Sequence, residues 1–308
     1  MRFLHLLESI RSPFGDALMY LITLFGYETL FMVVALIFFW CIDKKRGYYL
    51  LFAGFSGVIC VQLLKMLFRI PRPWVLDPEL TIVERARASA TGYSFPSGHT
   101  QCAVTLYGGI ARSSGRRAVR ICCIVGAALI GFSRMYLGVH TPKDVLVSAA
   151  IGVLIVFLLY LVFYGNTKKS TGVYLTLGIL LVLTIVNLLF VNCYTFPAGT
   201  DAANLENAQK VAFQLLFVLF GMCIIYPLDT YVLRFEVKAV WWAQLCKLAG
   251  GVGLVLALRF LLKAPLNALC GELLGNGIRY FLIVIAAGVV WPMTFRFWSK
   301  LGKKQPQS

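Results

Sequence analysis

Three separated segments hold side chains suited to handling a phosphate ester: Lys65-x6-Arg72-Pro73, Pro96-Ser97-Gly98-His99 and Ser133-Arg134-x5-His140-x3-Asp144. Hydrolysis of a doubly charged ester needs cations on the phosphoryl oxygens, a nucleophile, and a proton for the leaving oxygen. Lys65 and Arg72 are spaced by two helical turns, which places both on one side of a helix end. A Lys or Arg deep in an apolar span costs about 2.5–3.5 kcal/mol, so it has a partner or a function. The competing structural roles are a snorkelling stem for Lys65 and a loop charge for Arg72, which lies between Pro71 and Pro73.

Ser97 stands immediately before an apolar segment, where Ser is a favoured helix cap, and Gly98 allows a backbone N–H to approach a ligand closely. A helix start also attracts anions, so capping and phosphate binding are compatible uses of the same geometry. His99 is one of only three histidines. A lone histidine there is ordinarily structural, but with His140 at a matching position it becomes a candidate general acid, a role worth ~10²–10⁴-fold in rate. Arg134 offers a planar fork to phosphate oxygens. His140 is the candidate nucleophile, which needs one free lone pair and a partner on its other nitrogen. Asp144 stands four residues on, within reach of that nitrogen, although Thr141-Pro142-Lys143-Asp144 also reads as a helix capping box. Trp74 suits stacking on a sugar or anchoring at a membrane interface. His5 and Arg69 fit no motif position, and Arg69 reads as a lipid-headgroup contact.

The elements that must position these residues are membrane helices. Hydrophobic residues make up 59% of the 308 and charged residues 14%, too few charges to cover a water-facing surface. Apolar runs give about nine spans of roughly 20 residues: 16–41, 47–69, 98–112, 118–138, 143–164, 172–193, 210–229, 240–262 and 278–297. The expected fold is an all-α, polytopic transmembrane bundle. The net charge of +16 is explained by basic cytoplasmic connections rather than by nucleic acid. With the N-terminus outside and the C-terminus cytoplasmic, Lys44–Arg46, the arginines 112–120, Lys168, Lys169, Arg234, Lys238 and the basic residues 296–304 all fall inside. All three motifs then fall on the outer face. Residues 3–10 suit a short interfacial helix, no removable signal peptide is evident, and 71–96 reads as a cap over the site. The nine cysteines show no metal-ligand spacing; Cys193 and Cys270 would lie near the same face, where a disulfide is conceivable. The chain divides into a motif-bearing part, 1–168, and C-terminal helices, 169–308, with a polar tail at 302–308.

The ordered motifs resemble those of the type 2 phosphatidic acid phosphatase (lipid phosphate phosphatase) superfamily at every position, most closely over 65–144. The resemblance implies a metal- and cofactor-independent phosphatase acting through a phosphohistidine. His140 attacks phosphorus, His99 protonates the leaving oxygen, Asp144 orients His140, and Lys65, Arg72, Ser97, Gly98 and Arg134 hold the phosphoryl group. The implied substrate is a membrane lipid phosphate of the phosphatidate, phosphatidylglycerol phosphate or polyprenyl diphosphate type. A bacterial plasma membrane, with the site on its outer face, fits the length and composition. The span count and the stretch Arg72–Asp77 are also similar to the glucose-6-phosphatase branch, which implies soluble sugar phosphates as the alternative. A non-catalytic lipid transporter is disfavoured because both histidines and Arg134 are retained.

Overall fold

The structure, a computed structural model, describes residues 1–165 and 169–301; the tail at 302–308, Lys168 and the division placed at residue 168 lie outside the described residues. Regular structure among the described residues is helical throughout. In chain order the helices are α1 (Arg2–Ser9), α2 (Pro13–Leu24), α3 (Glu28–Ile37), α4 (Lys44–Phe68), α5 (Pro73–Leu76), α6 (Glu84–Arg87) and α7 (Gly98–Ser113). They continue with α8 (Arg117–Tyr136), α9 (Pro142–Tyr164), α10 (Lys169–Cys193), α11 (Ala202–Leu228), α12 (Trp241–Leu261) and α13 (Lys263–Ile285). Single π-helical turns extend α3, α11 and α13.

Among the described residues, seven helices are long and apolar enough to cross a membrane, or eight if the pair α2–α3, bent by 46°, is one span. This makes the chain an integral membrane protein. The difference from the nine expected spans is α7. Its 16 residues reach about 24 Å at ~1.5 Å each, short of a hydrocarbon core about 30 Å thick. It instead packs against α8 and α9 and buries polar Thr100, Gln101 and Thr105. Away from their charged ends, α8 and α9 expose apolar residues, among them Ile121, Ile124, Leu154, Phe157 and Leu161, as lipid-facing surfaces require.

The chain forms two compact units. One comprises Met1–Met32, Tyr49–Val173 and Leu189–Ala208, and it contains all three motifs. The other comprises Val33–Tyr48, Tyr174–Leu188 and the chain from Gln209. The spatial grouping is therefore not a linear one: part of the C-terminal half, Leu189–Ala208, joins the motif-bearing unit. In the second unit Lys44 Nζ and the Tyr48 hydroxyl each donate to buried Asp229 at 3.0 Å, and Trp40 Nε1 donates to the Ala287 carbonyl at 2.9 Å. All nine cysteines, Cys193 and Cys270 included, are free thiols.

The segment after α4 is strapped down by α1. Leu4 and Leu7 bury one face of this helix, while Phe3, Leu6 and Ile10 stay exposed, the two-sided pattern of an interfacial helix. His5 contributes more than its lack of a motif suggested: Nε2 lies 2.9 Å from Asp77 and Nδ1 2.8 Å from Glu8. Glu8 accepts from the Thr81 amide at 2.8 Å and also from the Thr81 hydroxyl. Arg11 adds bonds to the Thr81 carbonyl (2.6 Å) and the Tyr136 carbonyl (2.8 Å).

Chiefly through the Thr81 hydroxyl, the Glu8 carboxyl is lowered from 4.5 to about 2. His5 is raised, first by its bond to Asp77 and then by Glu8. A depressed carboxyl stabilises the strap above its unfolded value and loses that contribution as pH falls through the folded one; a raised imidazole stabilises it at low pH and loses it as pH rises through the raised value. The strap therefore contributes fully only between about pH 4.5 and 6.5, and the His5 part is lost as pH rises through its raised value. Hydrogen-exchange protection at the Thr81 amide, corrected for intrinsic rates, is expected to peak in that window and to fall at neutral pH in Glu8→Gln.

Candidate active site

The first motif does not lie on one helix face. Lys65 is in the last turn of α4, which ends at Phe68, and Arg69 then takes a left-handed φ of 47°. The chain turns there, and Pro71 and Pro73 hold Arg72 in an extended conformation capping α5. Two helical turns were the wrong ruler because the helix stops between the two cations; they converge through the turn instead. Arg72, 6% exposed, donates to the carbonyls of Gly92 (2.9 Å), Thr91 (2.6 Å) and Val139 (3.1 Å). Lys65 Nζ donates to Thr91 at 3.4 Å. Arg69 bonds the Met66 carbonyl at 2.7 Å and lies over the Phe196 ring.

Ser97 caps α7, accepting from the Thr100 amide (3.4 Å) and hydroxyl (3.0 Å). Beside it Gly98 faces open space, since an added Cβ would meet nothing within 4 Å. The His99 ring makes an edge contact with Tyr27, centroids 4.9 Å apart, and its buried Nε2 has no hydrogen-bond partner. Arg134 is fully buried. Its Nη1 donates to Thr23 Oγ1 at 2.9 Å, while Nε and Nη2 are unpartnered. Two parallel guanidinium donors left free in this way match a phosphate's paired oxygens.

His140 is 1% exposed, and its Nε2 is 2.9 Å from Arg72 Nη1. A guanidinium only donates, so Nε2 carries the lone pair and Nδ1 the proton. Nδ1 lies 3.5 Å from Asp144 Oδ2, an ion-pair distance that is long for a hydrogen bond. The same oxygen accepts from Ser94 Oγ (2.6 Å) and the Thr141 amide (2.8 Å). The Thr141–Asp144 capping box is complete, whereas His140 Nδ1 stands within ion-pair distance of Asp144 without a hydrogen bond to it. Burial first, then the charges of Arg72, Arg134 and Lys65, push His140 well below the usual imidazole range, keeping it neutral. Before this ring, Gly138 turns at a φ of +78°, and a Cβ there would sit 2.8 Å from Arg11 Nη2.

Lys65, Arg72, Gly98, His99 and His140 line one cavity of ≈ 290 Å³, with Ser97, Arg134 and Asp144 buried alongside. Trp74 is not part of that lining. It packs on the cluster of Ala86, Ala90, Leu137 and Val139, with the Arg72 and Arg87 guanidinium groups 5.8 and 5.7 Å from its ring. Sequence reasoning missed Thr23 and Ser94, which hold Arg134 and Asp144. Neither sits in a recognisable motif, and a hydroxyl within an apolar run has no periodic signal.

Residues 46–168, which hold every motif residue, match the model of the PAP2 superfamily. Among relatives, undecaprenyl-diphosphatase BcrC of Bacillus subtilis is 30% identical over 118 residues, covering 38% of this chain and 58% of that protein. Phosphatidylglycerophosphatase B of Bacillus subtilis is 40% identical over 77 residues, 22% of this chain and 38% of the relative. An undecaprenyl-diphosphatase of Sulfolobus acidocaldarius is 28% identical over 148 residues, 46% and 68% respectively. The chain thus spans less than two thirds of the length of the two Bacillus proteins.

Thr23→Val leaves a buried guanidinium nitrogen without its partner and is expected to destabilise the protein by about 1–3 kcal/mol. Thr23→Ser keeps the hydroxyl and should cost much less. Thermal unfolding of the detergent-solubilised protein compares the two.

Proposed function

We propose that this protein is a metal-independent phosphatase of membrane lipid phosphates, working through a phosphohistidine on His140. The observation that carries this reading is a neutral, buried His140 sharing one cavity with His99, whose Nε2 is unpartnered, and the free guanidinium donors of Arg134 buried beside them. The relatives named as undecaprenyl-diphosphatases and as a phosphatidylglycerophosphatase support the substrate class.

In the first step the Nε2 lone pair of His140 forms a bond to phosphorus. The bond from phosphorus to the ester oxygen breaks, and that oxygen takes a proton from His99 and leaves as an alcohol. Arg72 Nη1, which bonds Nε2 at 2.9 Å, must pass from the nitrogen to a phosphoryl oxygen as attack begins. Asp144 offsets the charge that forms on the imidazole. In the second step water gives a proton to His99, its oxygen bonds to phosphorus, and the P–N bond returns its electron pair to His140. Lys65, Arg134, Ser97 and the backbone at Gly98 hold the charge that builds on the phosphoryl oxygens.

The motif residues gather at the ends of α4 and α8 and the starts of α7 and α9, while the basic clusters 44–46 and 112–120 mark the opposite ends of α4, α7 and α8. With the basic ends cytoplasmic, the site opens at the outer face, the N-terminus lies outside and the C-terminus inside. A bacterial plasma membrane fits the relatives from bacteria.

Purified protein in EDTA is expected to release phosphate from at least one of phosphatidate, phosphatidylglycerol phosphate, a polyprenyl diphosphate or a sugar phosphate. His140→Ala should abolish release, and His99→Ala should slow it by ~10²–10⁴-fold. Undiminished turnover in His140→Ala would overturn the mechanism. Preference for the sugar phosphate would move the assignment to soluble esters.

A further inference from the structure

The cavity continues past the phosphate-handling residues to a second set that the mechanism does not use. Its remaining walls include Tyr27, Glu28, Gln62 and Gln101. Tyr27 and Glu28 stand at the break between α2 and α3, and the Tyr27 ring meets the edge of His99. His99 must reach the leaving oxygen, so this wall flanks the leaving group rather than the phosphoryl oxygens.

Glu28 is out of place in an anion site. Its carboxylate attracts Lys65 in the same cavity but makes no hydrogen bond or close ion pair among the described residues. A carboxylate repels a phosphate dianion, so its placement makes chemical sense where it accepts from hydrogen-bond donors on the rest of the substrate. Gln62, on the same cavity wall, supplies the complementary half, since its amide makes no hydrogen bond among the described residues. The Gln101 amide is instead enclosed, 1% exposed and packed against Gly57, where a Cβ would overlap it. Carboxylate acceptor and amide donor together match a hydroxyl group, which donates one hydrogen bond and accepts others. The volume of ≈ 290 Å³ falls at the lower edge of the ~300–1,000 Å³ of ligand pockets, space for a headgroup and not for acyl chains.

We propose that Glu28, with Gln62, determines specificity by selecting phosphate esters whose leaving alcohol carries a further free hydroxyl, as in glycerol and sugar phosphates. Esters of acylated, alkyl or isoprenoid alcohols, which lack that hydroxyl, are discriminated against. This rests on the phosphatase reading above.

The test compares kcat/KM within two matched pairs, using full-length protein in detergent and EDTA. The lipid pair is phosphatidylglycerol phosphate against phosphatidate with the same acyl chains; the soluble pair is glycerol 3-phosphate against propyl phosphate. Wild type is expected to prefer the hydroxylated member of at least one pair by about 10–100-fold, the range of a hydrogen bond to a charged group. The pair that shows the preference identifies the source, lipid or soluble. Glu28→Leu should shrink that ratio at least about 10-fold, and near-isosteric Glu28→Gln should shrink it less, with thermal unfolding confirming that both variants fold. Phosphate release with no preference in either pair, or a preference that Glu28→Leu leaves intact, overturns the role of Glu28 alone. Release from no member of either pair, nor from a polyprenyl diphosphate, overturns the phosphatase reading and this inference with it.

Discussion

The structure depends on holding three like charges together in and beside one cavity. Lys65, Arg72 and Arg134 repel one another and lose hydration when buried, and a carboxylate beside each would be the cheapest remedy. The protein does something else. It supplies neutral acceptors: the carbonyls of Thr91, Gly92 and Val139 for Arg72, and the Thr23 hydroxyl for Arg134. Neutral acceptors satisfy the donors without cancelling the field. The pocket keeps its positive potential for a dianion, and Asp144 is reserved for His140 by Ser94 and Thr141.

Carbonyls perform this task only if they stay where they are. That fits the way the segment between α4 and α7, polar by composition and partly exposed, is pinned at a few buried points. Ala86, Leu137 and Val139 are fully buried in one cluster, the Val83 amide bonds the Leu137 carbonyl at 3.2 Å, and α1 clamps Thr81 from the far side. Fixed dipoles aimed at the reacting charge need no reorganisation during the reaction. Arg72 is the exception: in the proposed mechanism its bond to His140 Nε2 is exchanged for one to phosphate, so the arginine that masks the proposed nucleophile would also receive the substrate.

The same unit resolves two solvents. Its α8 and α9 turn apolar side chains outward and deliver Arg134, His140 and Asp144 at the ends where they meet. Between them α7 is shorter than a bilayer core and carries buried threonines and a glutamine. A helix enclosed by neighbours can hold polar groups that a lipid-facing helix cannot, which is why the helix bearing Ser97 and His99 is the one that breaks the hydropathy pattern.

Much of this was legible in the chain itself. Residue type and order identify the cations, the two histidines and Asp144, and apolar runs identify most of the helices. Local chemistry settles the caps at Ser97 and Thr141, because capping involves only neighbours in sequence. Tertiary structure alone decided the rest. Lys65 and Arg72 converge across a broken helix, which a helical repeat cannot express. Trp74 packs between two arginines instead of lining the cavity. Thr23 and Glu28 reach the site from distant positions, and a single polar side chain in an apolar run looks the same whether it bonds its own helix or another. The sequence determines which chemistry is present; only three-dimensional packing decides which groups meet, because hydrogen bonds and charges act over a few ångströms between elements that lie far apart along the chain.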